Sequence, residues 1–316
     1  MKKYVLLIIA ISVIAFQACK KDEDIMNNNH NKENRFENVL TSDFHSSLER
    51  NVLHFESSDS LVSMMSAIIR MTDAERNEWE AANNFKSFYS RSNELLEIMD
   101  TTSINSINNF VNTNSDYFYL SVQDGETYLS SYYDESLLGY LLNPYKIVSV
   151  ADNYYKVFNE GYVVASEENK DYLYMIDSFN SNLYVNYLNY IPSSRRVYDK
   201  ETFESRNGND KLKVVFKIES HPLFYNCALV NITPLHKTCG IWLKCKRTIS
   251  ADVYAEWRYS NGGLPRTKSG FYTESNRKSF GISADLNFMT TYIDAGSFVN
   301  IDGWADTPSV PVCYCY

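Results

Sequence analysis

Apolar residues recur at helical spacing in the first part of the chain. They follow the i, i+3, i+4, i+7 pattern that gives one buried stripe on a helix: Leu61, Met64, Met65, Ile68 and Ile69. Thr72-Asp73-Ala74-Glu75 is a capping box, so a second helix is expected to begin near Asp73. Helical spacing continues to about Asp100, and a short helix is predicted over 104–111.

The pattern changes after residue 117 to short runs rich in Tyr and Val. Turn residues such as Asp124-Gly125 separate these runs, which predicts a β-meander. Beyond residue 210 the chain alternates apolar and polar positions, as in Leu212, Val214, Phe216 and Ile218. About eight such runs in roughly 105 residues is the strand density of a β-sandwich or small barrel.

These patterns predict an α+β fold with two domains. A helical and β-meander domain is expected over 39–200, and an antiparallel β-sandwich-like domain over 211–316. The polar stretch Arg195 to Asp210 is the candidate boundary, because it ends in the turn-forming Asn207-Gly208-Asn209-Asp210.

One hairpin is predicted in detail within the C-terminal domain. Strands near 239–246 and 251–259 are expected to pair, with Ile241 and Leu243 on a buried face. Trp242 then lies on the opposite face, across from Arg258, and Lys244 lies across from Glu256. A tryptophan in this position is either covered by another element or exposed to a partner, and both alternatives remain open.

The N-terminus resembles a bacterial lipoprotein signal. Two lysines precede a short apolar run that ends in Ala18-Cys19, too short to span a membrane as a helix. The resemblance implies that residues 1–18 are a signal peptide and that the mature chain begins at a lipidated Cys19. Residues 19–38, rich in Asn, are expected to be a disordered tether.

The charged run Lys20 to Asp24 resembles the surface-export signal of Bacteroidetes lipoproteins. An ordinary solvated spacer after a lipidated cysteine is the alternative interpretation, because such spacers are often charged too. The resemblance implies an outer-membrane protein that faces the cell exterior and whose contact with the membrane is the lipid on Cys19. The net charge of −9 argues against a nucleic-acid partner.

A second resemblance covers about residues 50–160. Leu53 to Ser57, Glu75 to Ser87 and Asn143 to Lys156 are similar to blocks of uncharacterised Bacteroidetes-type surface lipoprotein families. That resemblance implies no activity.

Five cysteines follow Cys19, all in the predicted C-terminal domain: Cys227, Cys239, Cys245, Cys313 and Cys315. An envelope location permits disulfides, with Cys239, Cys245, Cys313 and Cys315 as the candidates, and one of the last two near one of the first two. Buried thiols are the second interpretation. A zinc site that includes His236 is the third, and it is the weakest because the cysteines fall on strands.

No motif for a nucleophile elbow, a metalloprotease helix or a phosphate loop is found in the sequence, and no cofactor or metal is expected. The five histidines are scattered, and Glu167-Glu168 could supply an acid/base pair only if the fold arranged one. The chain is therefore expected not to be an enzyme.

Aromatic residues are the remaining candidate chemistry, with 25 tyrosines and four tryptophans. Their faces stack on sugars, although sheets favour aromatics for packing as well. Trp242, Tyr254 and Arg258 are the candidate binding residues. The sequence thus favours a non-enzymatic binding module for glycan or a protein partner; an envelope glycan hydrolase and a structural subunit of a surface assembly are the alternatives.

Overall fold

The computed structural model describes most of the chain beyond the N-terminal region. The described ranges are 47–68, 71–133, 136–179, 188–192, 196–221, 225–259, 266–277, 280–285, 290–301 and 309–315. The predicted signal peptide, the tether and Cys19 lie outside them. No helix within these ranges has the length and apolar content needed to cross a membrane.

Five α-helices form in the first part of the described chain: α1 Ser47–Arg50, α2 Ser58–Ile68, α3 Asp73–Ala82, α4 Phe88–Glu97 and α5 Ile104–Thr113. Polar side chains cap three of them. Thr72, Ser87 and Ser103 each accept a hydrogen bond from a backbone N–H of the first turn. The predicted capping box at Thr72 and Glu75 is confirmed.

Helical spacing predicted one continuous run from Asp73 to Asp100, but two helices occupy it. α3 ends at Ala82 because Asn84 adopts a left-handed conformation, φ 46°. The Asn84 N–H donates to the Ala81 carbonyl and the Phe85 N–H to the Glu80 carbonyl, which is a Schellman termination. Asparagine is one of the few residues that takes this conformation readily.

The described ranges contain sixteen strands, of which the first lies between α1 and α2 and the others follow α5. They are β1 His54–Phe55, β2 Phe118–Gln123, β3 Glu126–Ser131, β4 Ile147–Val150, β5 Asn153–Val157, β6 Gly161–Ser166, β7 Asn189–Pro192, β8 Arg196–Asn207, β9 Asp210–His221, β10 Tyr225–Thr238, β11 Ile241–Lys244, β12 Arg247–Tyr259, β13 Arg266–Arg277, β14 Phe280–Asp285, β15 Thr290–Ile301 and β16 Ser309–Cys315. Two 3-10 helices, Leu137–Tyr140 and Glu167–Met175, lie between strands. The predicted α+β class is confirmed.

The described strands form three sheets. The first has the order β1-β4-β5-β6-β7, with β1 parallel to β4. Apolar side chains of α2, α4 and the Leu137–Tyr140 helix pack with those of β4, β5 and β6 into its core. The predicted stripe on α2 is part of that core, since Leu61, Met65 and Ile68 are buried.

The second sheet has the order β2-β3-β11-β10-β9-β8, and β14 also pairs with β10. The third sheet has the order β13-β12-β15-β16. This topology shows that the predicted hairpin between 239–246 and 251–259 is wrong. β11 pairs with β10 on one side and with β3 on the other, whereas β12 pairs with β13 and β15.

The polar segment at the predicted domain boundary is a hairpin turn. Asn207 pairs with Asp210, so Gly208 and Asn209 connect β8 to β9 inside the second sheet. That sheet combines β2 and β3 from the predicted N-terminal domain with strands from the predicted C-terminal domain. Residues 46–316 belong to one compact unit.

Candidate functional site

The second sheet places two sets of side chains on opposite faces of the strands β2, β3 and β11. Val122, Thr127 and Ile241 are register partners across these strands and share one face. Ser121, Tyr128 and Trp242 form the neighbouring row, which lies on the other face because successive residues alternate. Lys237 of β10 extends that row.

The first of these faces is the apolar side of the sheet. Four buried side chains of this face, Phe118, Leu129, Ile241 and Leu243, pack with Leu95 of α4 and Ile107 of α5. The predicted burial of Ile241 and Leu243 is confirmed.

Of the two alternatives left open for Trp242, the covered one holds, and its predicted face is right. The side chain is 0% exposed and packs with Tyr128 and Leu235. Lys211 and Lys237 of the neighbouring strands place their Nζ atoms 4.6 and 5.2 Å from the centre of the indole ring. Lysine stems cover apolar surface while the ammonium groups face the aromatic ring, so polar residues bury this tryptophan.

A single carboxylate bridges the two ammonium groups. Glu126 accepts from Lys211 through Oε2 at 2.5 Å and from Lys237 through Oε1 at 3.2 Å. Lys211, which is only 3% exposed, also donates to the Tyr128 hydroxyl at 2.6 Å. The hydrogen bonds from Lys211 and Lys237 lower the pKa of Glu126 to about 2. Glu126 is therefore ionised at neutral pH and suited to holding the strands together, not to donating a proton.

The three predicted binding residues are not brought together in one sheet. Trp242 lies on β11 in the second sheet, whereas Tyr254 and Arg258 lie on β12 in the third. Tyr254 is the register partner of Ser269 and Gly296, and Arg258 that of Tyr292. The side chains of Tyr254 and Arg258 lie outside the described residues.

Of the predicted disulfide cysteines, Cys239 is exposed and Cys245 is half-buried. Cys239 and Gly240 form the turn between β10 and β11, with φ values of 49° and 83°. Cys313 and Cys315 lie on β16, and their side chains lie outside the described residues, so the predicted proximity stays a prediction. Within the described part of the chain, no group of three or more His, Cys, Asp or Glu is arranged to hold a metal.

Among the strands of the second sheet whose side-chain burial is described throughout, β2 is the most exposed apolar one, and the sequence pattern did not single it out. Val122 is 71% exposed, Tyr119 40% and Leu120 36%. β2 is the outermost strand of its sheet, and within the described ranges it pairs with β3 alone. The sequence did contain a signal for an exposed hairpin strand. The Asp124-Gly125 turn follows β2 directly, and apolar and polar residues alternate poorly along the strand.

The β2–β3 hairpin has a turn that fits its twist. Asp124 and Gly125 both have positive φ, 51° and 76°, as a two-residue type I′ connection requires. On the inner side α5 packs against β2 through Phe110 and Phe118, whose ring centres are 5.2 Å apart. The exposed strand is thus held by a tight turn and a helix.

Comparisons with known proteins assign no family to the chain. No protein-family model matches it, and no curated protein matches it. Its structure is similar to that of a DUF4848 family protein from Bacteroides thetaiotaomicron, with 12% identity, 83% of this chain and 97% of that chain covered, and a TM-score of 0.30. This likeness assigns neither a fold family nor an activity.

Proposed function

We propose that the protein is a lipid-anchored binding module of the bacterial cell envelope, attached through Cys19 and facing the exterior. Its partner is a protein that adds an extended, uncharged strand to the outer edge of β2. The observation that carries the proposal is the exposure of Tyr119, Leu120 and Val122 on the outermost strand of the second sheet.

An outermost strand offers a row of backbone donors and acceptors to another chain. Proteins commonly protect such edges with lysine, proline or a bulge. The sequence of β2, Phe-Tyr-Leu-Ser-Val-Gln, contains no lysine and no proline, and its register with β3 is regular over all six residues. These features favour strand addition at β2.

The side chains of β2 define the chemistry of the incoming strand. Tyr119 lies on one face of the sheet, and Leu120 and Val122 lie on the other, so apolar contacts are available on both faces. The strand itself carries no charge, in a chain whose net charge is −9. An uncharged partner strand would meet no charged side chain on β2. A charged partner strand would find no oppositely charged side chain on β2 with which to form an ion pair.

A protein partner is favoured over glycan. The sugar-binding hypothesis depended on Trp242 as an exposed stacking surface, and that side chain is buried under two lysines. The exposed residues of β2 are mainly aliphatic, and aliphatic side chains offer no flat face for a sugar ring. The β-sandwich-like arrangement predicted for the C-terminal strands remains part of this proposal as the scaffold behind β2.

Fluorescence anisotropy of a labelled peptide tests the proposal with the full-length protein in detergent. The probe is a ten-residue uncharged peptide of alternating Val and Thr. We expect Val122→Lys to weaken binding at least tenfold, about 1.4 kcal/mol, and Ile191→Lys, at an exposed apolar position on β7 of the first sheet, to leave it unchanged.

A second peptide, with proline at alternate positions, removes backbone donors and should not bind. Equal binding of both peptides, or an equal effect of the two lysine substitutions, would overturn the proposal. Light scattering of the protein alone provides a further check. A dimer that Val122→Lys dissociates would show that the strand pairs with a second copy instead.

A further inference from the structure

The outer edge of β2 presents the backbone groups of alternate residues only. The Asp124-Gly125 turn closes the hairpin with Gln123 opposite Glu126, so these two residues exchange backbone hydrogen bonds. Hydrogen-bonded and non-hydrogen-bonded pairs alternate along an antiparallel ladder. The N–H and C=O groups of every second residue from Gln123 therefore point towards β3, whereas those of Leu120 and Val122 point towards the outer edge.

The contacts at the other end of β2 agree with this alternation. The Tyr132 N–H donates to the Tyr117 carbonyl at 3.2 Å, so the pair that precedes the strand is hydrogen-bonded, as the alternation requires. The Phe118 N–H, which points outwards, donates to the Asn114 carbonyl at the end of α5 at 3.0 Å. The edge available to another strand therefore begins at the Phe118 carbonyl and extends to Val122.

The side of this edge that faces α5 is apolar. Leu120 and Val122 place their side chains there and are 36% and 71% exposed. Ile107 of α5 packs into the core on the same side, and Ile104, one turn earlier on the same stripe of the helix, is 39% exposed. Apolar side chains of an added strand would shield this surface from water.

The opposite side of the edge is polar beyond Tyr119. The hydroxyl oxygens of Ser121 and Ser130 are 3.0 Å apart, and Lys213 Nζ donates to Gln123 Oε1 at 3.4 Å. An apolar side chain placed over these groups would remove them from water without offering a hydrogen bond, which costs free energy. Polar side chains of an added strand suit this side better.

Antiparallel pairing suits the edge better than parallel pairing, which is slightly less stable per residue. Opposite Leu120 and Val122, each residue of an antiparallel partner would exchange both backbone hydrogen bonds with its neighbour. Its side chain would lie on the same face as the side chain of that neighbour. The partner residues whose amides face β2 are therefore those whose side chains face α5.

We propose, as an extension that rests on the strand addition proposed above, that β2 selects an amphipathic strand in antiparallel orientation. The apolar side chains of that strand face α5, and its polar uncharged side chains face the Ser121 side. The backbone groups of its apolar residues bond to β2, and the amides of its polar residues point away from β2.

Selective N-methylation of the ten-residue Val/Thr peptide tests this orientation with the full-length protein in detergent. One peptide carries N-methyl groups on its Val residues, and the other carries them on its Thr residues. Each methyl group removes a backbone donor and obstructs a strand on that side. By fluorescence anisotropy, we expect methylation of Val to weaken binding about tenfold or more and methylation of Thr to change it by less than about twofold.

The methylated peptides separate failure of the orientation from failure of strand addition. If methylation of Thr prevents binding and methylation of Val does not, the orientation is overturned and strand addition stands. Loss of binding with both peptides has the same consequence, because both edges of the peptide then take part. Undiminished binding of both peptides would overturn strand addition itself.

Leu120→Ser tests the apolar side from within the protein, and Ile191→Ser on β7 is the matched control because both side chains are 36% exposed. We expect Leu120→Ser to weaken binding of the unmodified peptide about fivefold and Ile191→Ser to leave it unchanged. Thermal melting shows whether both variants stay folded. An all-Thr peptide completes the test. The wild type should prefer Val/Thr over all-Thr more strongly than Leu120→Ser does, and an equal preference would overturn the placement of the apolar side chains against α5.

Discussion

The strands β11 and β2 lie two positions apart in the same sheet and are similarly apolar, yet their surroundings are opposite. In β11 the side chains of Ile241, Trp242 and Leu243 are all buried. In β2 Tyr119, Leu120 and Val122 are all exposed by a third or more. The residue that looked most available in the sequence, Trp242, is 0% exposed, and Val122 is 71% exposed.

Position in the sheet explains this difference. β11 has a strand on each side, helices α4 and α5 over one face, and Lys211 and Lys237 over the other. β2 has one neighbouring strand, and α5 covers the part around Phe118 only. Whether a side chain is available to a partner therefore depends on strand order, which local alternation does not determine.

The largest effect on stability is expected when the buried indole of Trp242 is removed. Trp242 is the largest of the fully buried side chains in the described part of the chain. We expect Trp242→Ala to lower the free energy of unfolding by about 3–5 kcal/mol, since truncating a packed aromatic removes burial and leaves a cavity. Urea unfolding measures this change, and the melting temperature should fall by on the order of 10 °C.

Val122→Thr is the matched change on β2, because it preserves size and β-branching at an exposed site. It should alter the free energy of unfolding by no more than about 0.5 kcal/mol. A loss below ~1 kcal/mol for Trp242→Ala would contradict the packing of the indole described above.

Local features of this fold were predictable from the sequence, because their causes lie within a few residues. The capping box at Thr72, the buried stripe on α2 and the Asp124-Gly125 turn are of this kind. The end of α3 was not predicted. The left-handed residue that terminates this helix is Asn84, whereas glycine is the usual residue at that position and is the clearer sequence signal.

The pairing of β11 was not predictable in the same way. Its parallel partner β3 lies more than a hundred residues earlier in the chain, and Ile241 pairs there with Thr127. No local turn or alternation determines such a contact. The candidate site depends on it, because the pairing brings Glu126 and Tyr128 beside Trp242 and leaves β2 at the edge.

A smaller effect is expected from the charges that cover the indole. The pKa of Glu126 falls from an ordinary value of 4.5 to about 2, chiefly through the hydrogen bond from Lys211. A carboxyl with a lowered folded-state pKa stabilises the fold above its unfolded value and loses that contribution as pH falls through the folded one. The contribution of Glu126 should therefore be complete above about pH 4.5 and absent near pH 2.

Glu126→Gln tests this linkage. At pH 6 we expect it to lower the free energy of unfolding by about 2 kcal/mol, the value of a hydrogen bond to a charged group. Urea unfolding at several pH values should show the difference between wild type and variant shrinking below pH 4.5. Glu94→Gln, which removes a surface salt bridge to Lys86, should cost less than about 1 kcal/mol. A pH-independent difference for Glu126→Gln would contradict the linkage.

The smallest expected effect on stability belongs to the lysine substitution at the edge. Val122 and Thr127 are register partners on one face, but Val122 is exposed and Thr127 is half-buried. Val122→Lys should change the free energy of unfolding by no more than about 0.5 kcal/mol, because its ammonium group stays in water. Thr127→Lys, one strand further in, should cost more, since the stem must pass between neighbouring side chains. Equal costs at the two positions, measured by urea unfolding, would mean that β2 is covered after all, and peptide addition at its edge would then be excluded.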